Sequence, residues 1–294
     1  MEFLNFLAQY RTPAADIFFQ FVTYFAQELI VVAVICWFFW CSNKRLAYSL
    51  GFAYFTSGIL VQGLKISFRV PRPWGLDSGF HPVESAVPDA TGYSFPSGHT
   101  QSATALGGTF LFHMKKTAHK FLCFLFIVLI GFSRMYLGCH TPADVLVSFF
   151  VSIVCTFMCY HFFYIKDTAE KHKLAISVSI AVLCLLLCAY ALYLNHAGII
   201  EEAYAADCIK ASGAGIAFAA GYYIERTYIR FSPPSSFKKK LLRLSFGLLV
   251  CLLILEGLKL LLGTSLAVSF LRYFAVVFWV LVIYPLIFTV LEKK

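Results

Sequence analysis

Nine stretches of this chain are apolar over roughly the length a helix needs to cross a bilayer, about 20 residues. They fall at 14–41, 46–67, 98–114, 121–138, 143–165, 174–194, 207–225, 242–262 and 269–290. Short polar segments separate them. The pattern predicts an all-α fold, a polytopic transmembrane helix bundle of about nine spans. Thr12-Pro13 supplies a cap and a first turn for the first span, and Thr141-Pro142 does the same for the fifth. Ahead of the first span, Phe3, Leu4, Phe6, Leu7 and Tyr10 share one face of a short interfacial helix. The seventh stretch is rich in Ala and Gly, with Asp207 and Lys210 at its start, and is expected inside the bundle.

Composition agrees with the pattern. Of the 294 residues, 60% are hydrophobic and only 13% are charged, against about 45–50% and 25% in soluble domains. A soluble 33 kDa chain could not hide that much apolar surface. A soluble enzyme, a disordered chain and an ordinary nucleic-acid binder are excluded. The net charge of +9 therefore reads as loop asymmetry rather than as a nucleic-acid footprint. Sixteen of the 24 Lys and Arg residues lie in, or flank, the loops after spans one, three, five and seven and the C-terminus, Lys293 and Lys294 included. This places the N-terminus outside and the C-terminus inside. The segments 68–97 and 139–142 then face outward together, as does 195–206. Seven of the ten cysteines sit in apolar runs and act as small hydrophobes, and no CxxC pairing appears. The N-terminus lacks the pattern of a cleavable signal peptide. Glu256 and Lys259, three apart in the eighth span, are expected to pair.

Three polar clusters interrupt the apolar pattern, all at the predicted outer face. In the first, Lys65 ends the second span and Arg72 stands between Pro71 and Pro73. Arg offers a planar donor fork suited to phosphate oxygens, and Lys a point charge. In the second, Pro96-Ser97-Gly98-His99 opens the third span. A helix N-terminus favours an anion, Gly98 permits close approach, and Ser97 can donate its hydroxyl. In the third, Ser133-Arg134 closes the fourth span, and His140 precedes Asp144 by four residues. A carboxylate on one imidazole nitrogen fixes the tautomer and leaves the other lone pair exposed. Ionisable groups gathered at the edge of spans mark a functional site, and this much positive charge suits a phosphate. No Walker-type loop and no carboxylate cluster is present, so no metal site and no cofactor is evident. A histidine nucleophile is then the simplest route to phosphoryl transfer.

Taken in this order, the clusters resemble the tripartite signature of the type 2 phosphatidic acid phosphatase superfamily. That pattern is Lys, six residues, Arg-Pro; then Pro-Ser-Gly-His; then Ser-Arg, five residues, His, three residues, Asp. Lys65, Arg72-Pro73, Pro96 to His99, Ser133-Arg134, His140 and Asp144 match it at every fixed position. The resemblance implies that His140 attacks phosphorus, Asp144 orients it, and His99 protonates the leaving oxygen and later activates water. Lys65, Arg72, Ser97, Gly98 and Arg134 would hold the phosphoryl oxygens. The resemblance covers roughly 46–165, the expected catalytic core; by the span pattern, 1–45 is an N-terminal interfacial segment and first span, and 166–294 a membrane extension of about four spans. The expected function is metal-independent hydrolysis of a lipid phosphate or diphosphate, undecaprenyl diphosphate above all. The setting would be a bacterial plasma membrane with the site facing outward. The expected partners are membrane lipid and a phosphorylated lipid, with no nucleic acid. A soluble sugar phosphate, and a transporter or flippase binding a phosphorylated solute, are the alternatives. The first is raised by the nine-span, N-out pattern, which is similar to the glucose-6-phosphatase branch.

Overall fold

The computed structural model describes residues 1–234 and 236–291; Lys293 and Lys294, counted above toward the inner face, lie outside the described residues. Among the described residues there are helices and no strand. In chain order the helices are α1 (Glu2–Ala8), α2 (Pro13–Tyr24), α3 (Glu28–Cys41), α4 (Lys44–Phe68) and α5 (Pro73–Leu76). There follow α6 (Gly98–His113), α7 (Thr117–Tyr136), α8 (Pro142–Tyr160), α9 (Lys173–His196) and α10 (Glu202–Ile224). The last three are α11 (Phe237–Leu262), α12 (Leu266–Phe278) and α13 (Tyr284–Leu291). Every expected span has a helical counterpart within a few residues. Two caps form as the sequence predicts. Thr12 accepts from the Ala15 amide, and Thr141 from the Asp144 amide.

Six of these segments are long and apolar enough to cross a membrane: 13–41, 117–136, 142–165, 173–196, 237–262 and 266–291. The chain is thus an integral membrane protein. The remaining three expected spans, α4, α6 and α10, fall short on length or polarity. For α6 and α10 the reason lies in what covers them.

The chain forms two compact units, one of residues 1–32 and 56–160, the other of 33–55 and 161–294. In the first, α6 packs against both α7 and α8, and its ten consecutive residues Thr100–Thr109 are buried. A helix covered on all sides needs no lipid-facing stripe, so hydroxyls and glycines replace large apolar residues. A Cβ on Gly107 would come within 2.8 Å of Ile127, and one on Gly108 within 3.1 Å of Ile153. In the second unit α10 plays the same part between α9 and α12, as its Ala/Gly content predicts. A Cβ on Gly213 would lie 2.5 Å from the Phe270 carbonyl oxygen, so only glycine allows that backbone approach.

The first span stands as expected over 13–41, with an interruption inside it: at Phe25–Gln27 the backbone tightens to i→i−3 bonds. Polar side chains are engaged on both sides of this break, Thr23 by Arg134 at 3.2 Å and Gln27 by Asp89 at 3.1 Å. One expectation is corrected: the pair Glu256–Lys259 does not form, and among the described residues no ion pair joins them. Lys259 stands in the last turn of α11, where the exposed carbonyls favour a cation without a carboxylate. The N-terminal segment is helical as expected, but Leu4 and Leu7 turn inward while Phe3, Phe6 and Tyr10 stay exposed.

Candidate active site

All eight residues singled out in the three clusters lie in the first unit, and local backbone chemistry explains how they meet. α7 ends at Tyr136, and Gly138 takes a positive φ of 78°. There the Gly138 amide donates to Met135 O and the Cys139 amide to Arg134 O, a glycine-terminated helix end. The reversal carries the His140 amide back onto Arg134 O at 3.3 Å. The five-residue spacer between Arg134 and His140 is therefore the length of one helix terminus. A side chain at 138 would strike Arg11 Nη2 at 2.7 Å and the Phe80 ring at 2.9 Å.

α8 begins with Thr141 as cap and Pro142 in its first turn. The Asp144 amide donates to Thr141 Oγ1 at 3.4 Å, and the Thr141 amide donates back to Asp144 Oδ2 at 2.8 Å. This reciprocal cap fixes the carboxylate. Ser94 Oγ donates to the same oxygen at 2.5 Å. His140 Nδ1 stands 3.4 Å from Asp144 Oδ2 and makes no hydrogen bond. Asp144 is thus next to the imidazole, as expected, but its hydrogen bonds go to Ser94 and Thr141.

Ser97 caps α6. Its Oγ accepts from the Thr100 amide and, at 3.0 Å, from Thr100 Oγ1, which leaves its own proton to be donated. The Ser97 amide donates to Asp144 O at 3.1 Å, and Ser148 Oγ to Ser97 O at 2.6 Å, so the second cluster is tied to the third. Beside Gly98 a Cβ would meet nothing within 4 Å, so space lies open at the helix N-terminus. Among the described residues no group of three His, Cys, Asp or Glu could hold a metal ion.

The cations complete the arrangement. Arg72 donates from Nε to Gly92 O at 3.0 Å, from Nη1 to Cys139 O at 3.1 Å, and from Nη2 to Thr91 O. Its Nη1 is also 3.0 Å from His140 Nε2. An arginine can only donate, so Nε2 accepts and the imidazole presents its lone pair toward the guanidinium. Lys65 Nζ donates to Tyr93 O at 2.5 Å. Arg134 is fully buried. Its Nη1 donates to Thr23 Oγ1 at 3.2 Å, while Nε and Nη2 have no partner. His99 Nε2 is likewise buried without a partner, and His99 stands within electrostatic reach of Arg134, His140, Arg72 and Lys65. Burial holds the His140 imidazole well below its ordinary pKa, and Arg72, Lys65 and Arg134 push it the same way. His140 is therefore neutral at pH 7, with Nε2 unprotonated.

The structure brings every predicted site residue into this one unit. It adds Ser94, Thr23 and Ser148, which sequence reasoning passed over. Ser94 stands three residues before Ser97 within the second cluster, and that adjacency was the available signal. Thr23, in the first span, carries none.

Comparison with known proteins finds two family matches along the chain. The PAP2 superfamily matches residues 45–168. A second family, described as the transmembrane extension of PAP2 superfamily phosphatases, matches residues 209–294. Undecaprenyl-diphosphatase BcrC of Bacillus subtilis (strain 168) is 35% identical over 108 residues, covering 35% of this chain and 53% of that protein. The chain therefore spans about half the length of that curated relative. Among solved structures, Aquifex aeolicus LpxE is 29% identical, with a TM-score of 0.49 over 54% of this chain and 92% of its own.

Proposed function

The chain belongs to the PAP2 superfamily, and from that premise we propose that it hydrolyses a lipid phosphate or diphosphate through a phosphohistidine. The observation that carries the reading is His140 Nε2, unprotonated and 3.0 Å from Arg72, beside a buried Arg134 with two uncommitted donors. An incoming phosphoryl group offers its oxygens to Arg72, Arg134 and Lys65, to the Ser97 hydroxyl and to the free amides at the start of α6. His140 Nε2 then forms a bond to phosphorus as the P–O bond to the leaving group breaks. His99 delivers a proton to the departing oxygen. In the second step His99 takes a proton from water, the water oxygen attacks phosphorus, and the P–N bond breaks to release phosphate. Asp144, held by Thr141 and Ser94, keeps the imidazole oriented.

The favoured substrate is undecaprenyl diphosphate. The named activity of the Bacillus relative supports this, as do the apolar surroundings, which suit a substrate presented by the membrane. We read residues 46–165 as the catalytic core, 1–45 as a leading segment and 166–294 as a membrane extension. We also read the chain as nine spans, with the N-terminus and the active site outside and the C-terminus inside a bacterial plasma membrane. The family matches at 45–168 and 209–294 and the basic-residue asymmetry support these assignments. The test is phosphate release by detergent-purified protein, comparing undecaprenyl diphosphate, phosphatidic acid, phosphatidylglycerol phosphate and a soluble sugar phosphate. Lipid diphosphate is expected to be turned over fastest. Faster cleavage of the sugar phosphate, or no release from any of them, would overturn the reading.

A further inference from the structure

The second unit contains a cavity that the catalytic chemistry does not use. It measures about 280 Å³. It sits at the pole of that unit where the N-termini of α4, α9 and α11 and the C-terminus of α10 gather. Lys44 at the start of α4 contacts Glu225 and the Phe231 carbonyl. Tyr222, near the end of α10, donates to Ala169 O at 3.1 Å. The aromatic rings of Tyr48 and Tyr222 form part of its wall. Arg45 and Arg226 also line it, each beside a carboxylate. Arg45 Nη2 lies 2.7 Å from Asp167 Oδ1, and Arg226 Nη2 lies 2.6 Å from Glu170 Oε2.

These guanidinium groups are held yet not used up. Arg45 also donates through Nε to Phe163 O at 2.5 Å and lies over the Tyr164 ring at 4.4 Å. Arg226 also donates through Nε to Glu170 at 2.7 Å. Among the described residues Nη1 of each has no partner. Two arginines fixed by neighbours, each with a free donor on one cavity, form a ready receptor for tetrahedral oxygens. The wider field has the same sign. Residues 44–45, 166–173 and 225–243 carry eleven Lys and Arg side chains against three carboxylates, a net of +8 in a chain whose total is +9. Topology bias calls for cations in such loops, but not for a cavity with oriented guanidinium groups at their centre.

We propose that this cavity is a second phosphate-binding site, separate from the catalytic one. Its ligand is a phosphate-bearing anion, carried either by the head group of an anionic phospholipid in the adjoining leaflet or by a free phosphate ester. The phosphate takes up the free donors of Arg45 and Arg226, over the tyrosine wall. The proposal does not depend on the catalytic reading, because no residue of the three motifs takes part.

The test uses the full chain in phosphatidylcholine nanodiscs, with phosphatidylglycerol as the lipid probe and glycerol 3-phosphate as the soluble one. Native mass spectrometry counts retained lipid, and thermal melting reports either ligand. Arg45→Gln with Arg226→Gln should weaken binding roughly 30-fold, at about five-fold per cation near a membrane surface. Asp167→Asn with Glu170→Gln frees both guanidinium groups and should tighten binding. Tightening cannot arise from a damaged fold, so this second variant guards the first. Response to phosphatidylglycerol alone identifies the lipid as the source, and an equal response to glycerol 3-phosphate identifies the free ester. Unchanged binding of both probes in both variants would overturn the proposal. So would weaker binding in the carboxylate variant, the mark of an ammonium ligand.

Discussion

Replacing Arg134 by methionine should separate stability from activity, because the two respond to the same buried charge with opposite sign. Arg134 is fully buried, has no carboxylate partner among the described residues, and leaves Nε and Nη2 unpaired. An apolar side chain of similar length removes an uncompensated ion, whose burial costs several kcal/mol. Against this stands the loss of one hydrogen bond, to Thr23 Oγ1, at about 1 kcal/mol. The melting temperature of Arg134→Met should therefore equal or exceed that of the wild type. In the catalytic cycle the two free donors would meet phosphoryl oxygens. Each hydrogen bond to a charged group contributes about 1.5–3 kcal/mol, so losing both lowers kcat/KM roughly 10²–10⁴-fold. Vanadate provides the link between the two readouts. At a hundred times its Kd it should stabilise the wild type by about 2.7 kcal/mol and leave the variant nearly unmoved. Scanning fluorimetry with and without vanadate, beside phosphate release in detergent, measures all of this. A variant that melts well below the wild type, yet keeps its vanadate shift and its turnover, would refute the argument: Arg134 would then be a structural strut.

Three further outcomes follow from the same geometry. His140→Ala should form no phosphoenzyme, whereas His99→Ala should release a burst of phenol from an aryl phosphate, stall before turnover and fail on lipid monoesters; equal loss on both substrates with no trapped phosphohistidine in folded protein counts against these roles. His140 refuses a proton in the folded state that an unfolded imidazole accepts below pH about 6.5, so folded stability falls as pH drops through that value; melting scans of His140→Gln should show a shallower fall than the wild type, and parallel curves would dismiss the assignment. Ser94→Ala removes the 2.5 Å bond to Asp144 Oδ2 and should lower kcat several-fold with KM little changed, since a net hydrogen bond is worth about 1 kcal/mol; undiminished kcat would mean that the Thr141 cap alone positions the carboxylate.

The spans were legible because a lipid-facing helix must advertise itself in apolar residues, and α7, α9 and α11 do so along their length. The gathering of the candidate site residues was legible for a different reason. Its residues sit at helix ends, where fixed spacing is a geometric necessity: Gly138 reverses the chain so that His140 returns to Arg134, and Thr141 caps the turn that holds Asp144. What escaped notice has no such periodic or terminal signature. Thr23 reaches Arg134 across 111 positions of chain, and no local pattern marks a hydroxyl in an apolar run as an acceptor. The break at Phe25–Gln27 carries neither Pro nor Gly, the residues by which a sequence usually punctuates a helix. Glu256 and Lys259 misled because their spacing permits a pair, while the carbonyls at the end of α11 give the lysine another reason to be there.

The all-round burial of α6 bears on how the protein is made. Translocation machinery commits a helix to the bilayer by its own hydrophobicity, Leu and Phe weighing for insertion and polar residues against it. α6 presents threonines, a serine, glycines and a glutamine on faces that other helices cover, α7 and α8 most extensively. As it emerges from the ribosome it has no strong claim on the lipid. It is expected to wait at the channel for α7 and α8, and to be carried in with them. A nascent chain halted soon after His113 should leave this helix outside the membrane, and one extended past Tyr160 should bring it in. On this account the residue that opens α6, Gly98, and the histidine that follows it would reach their place only when the helices that oppose them have arrived.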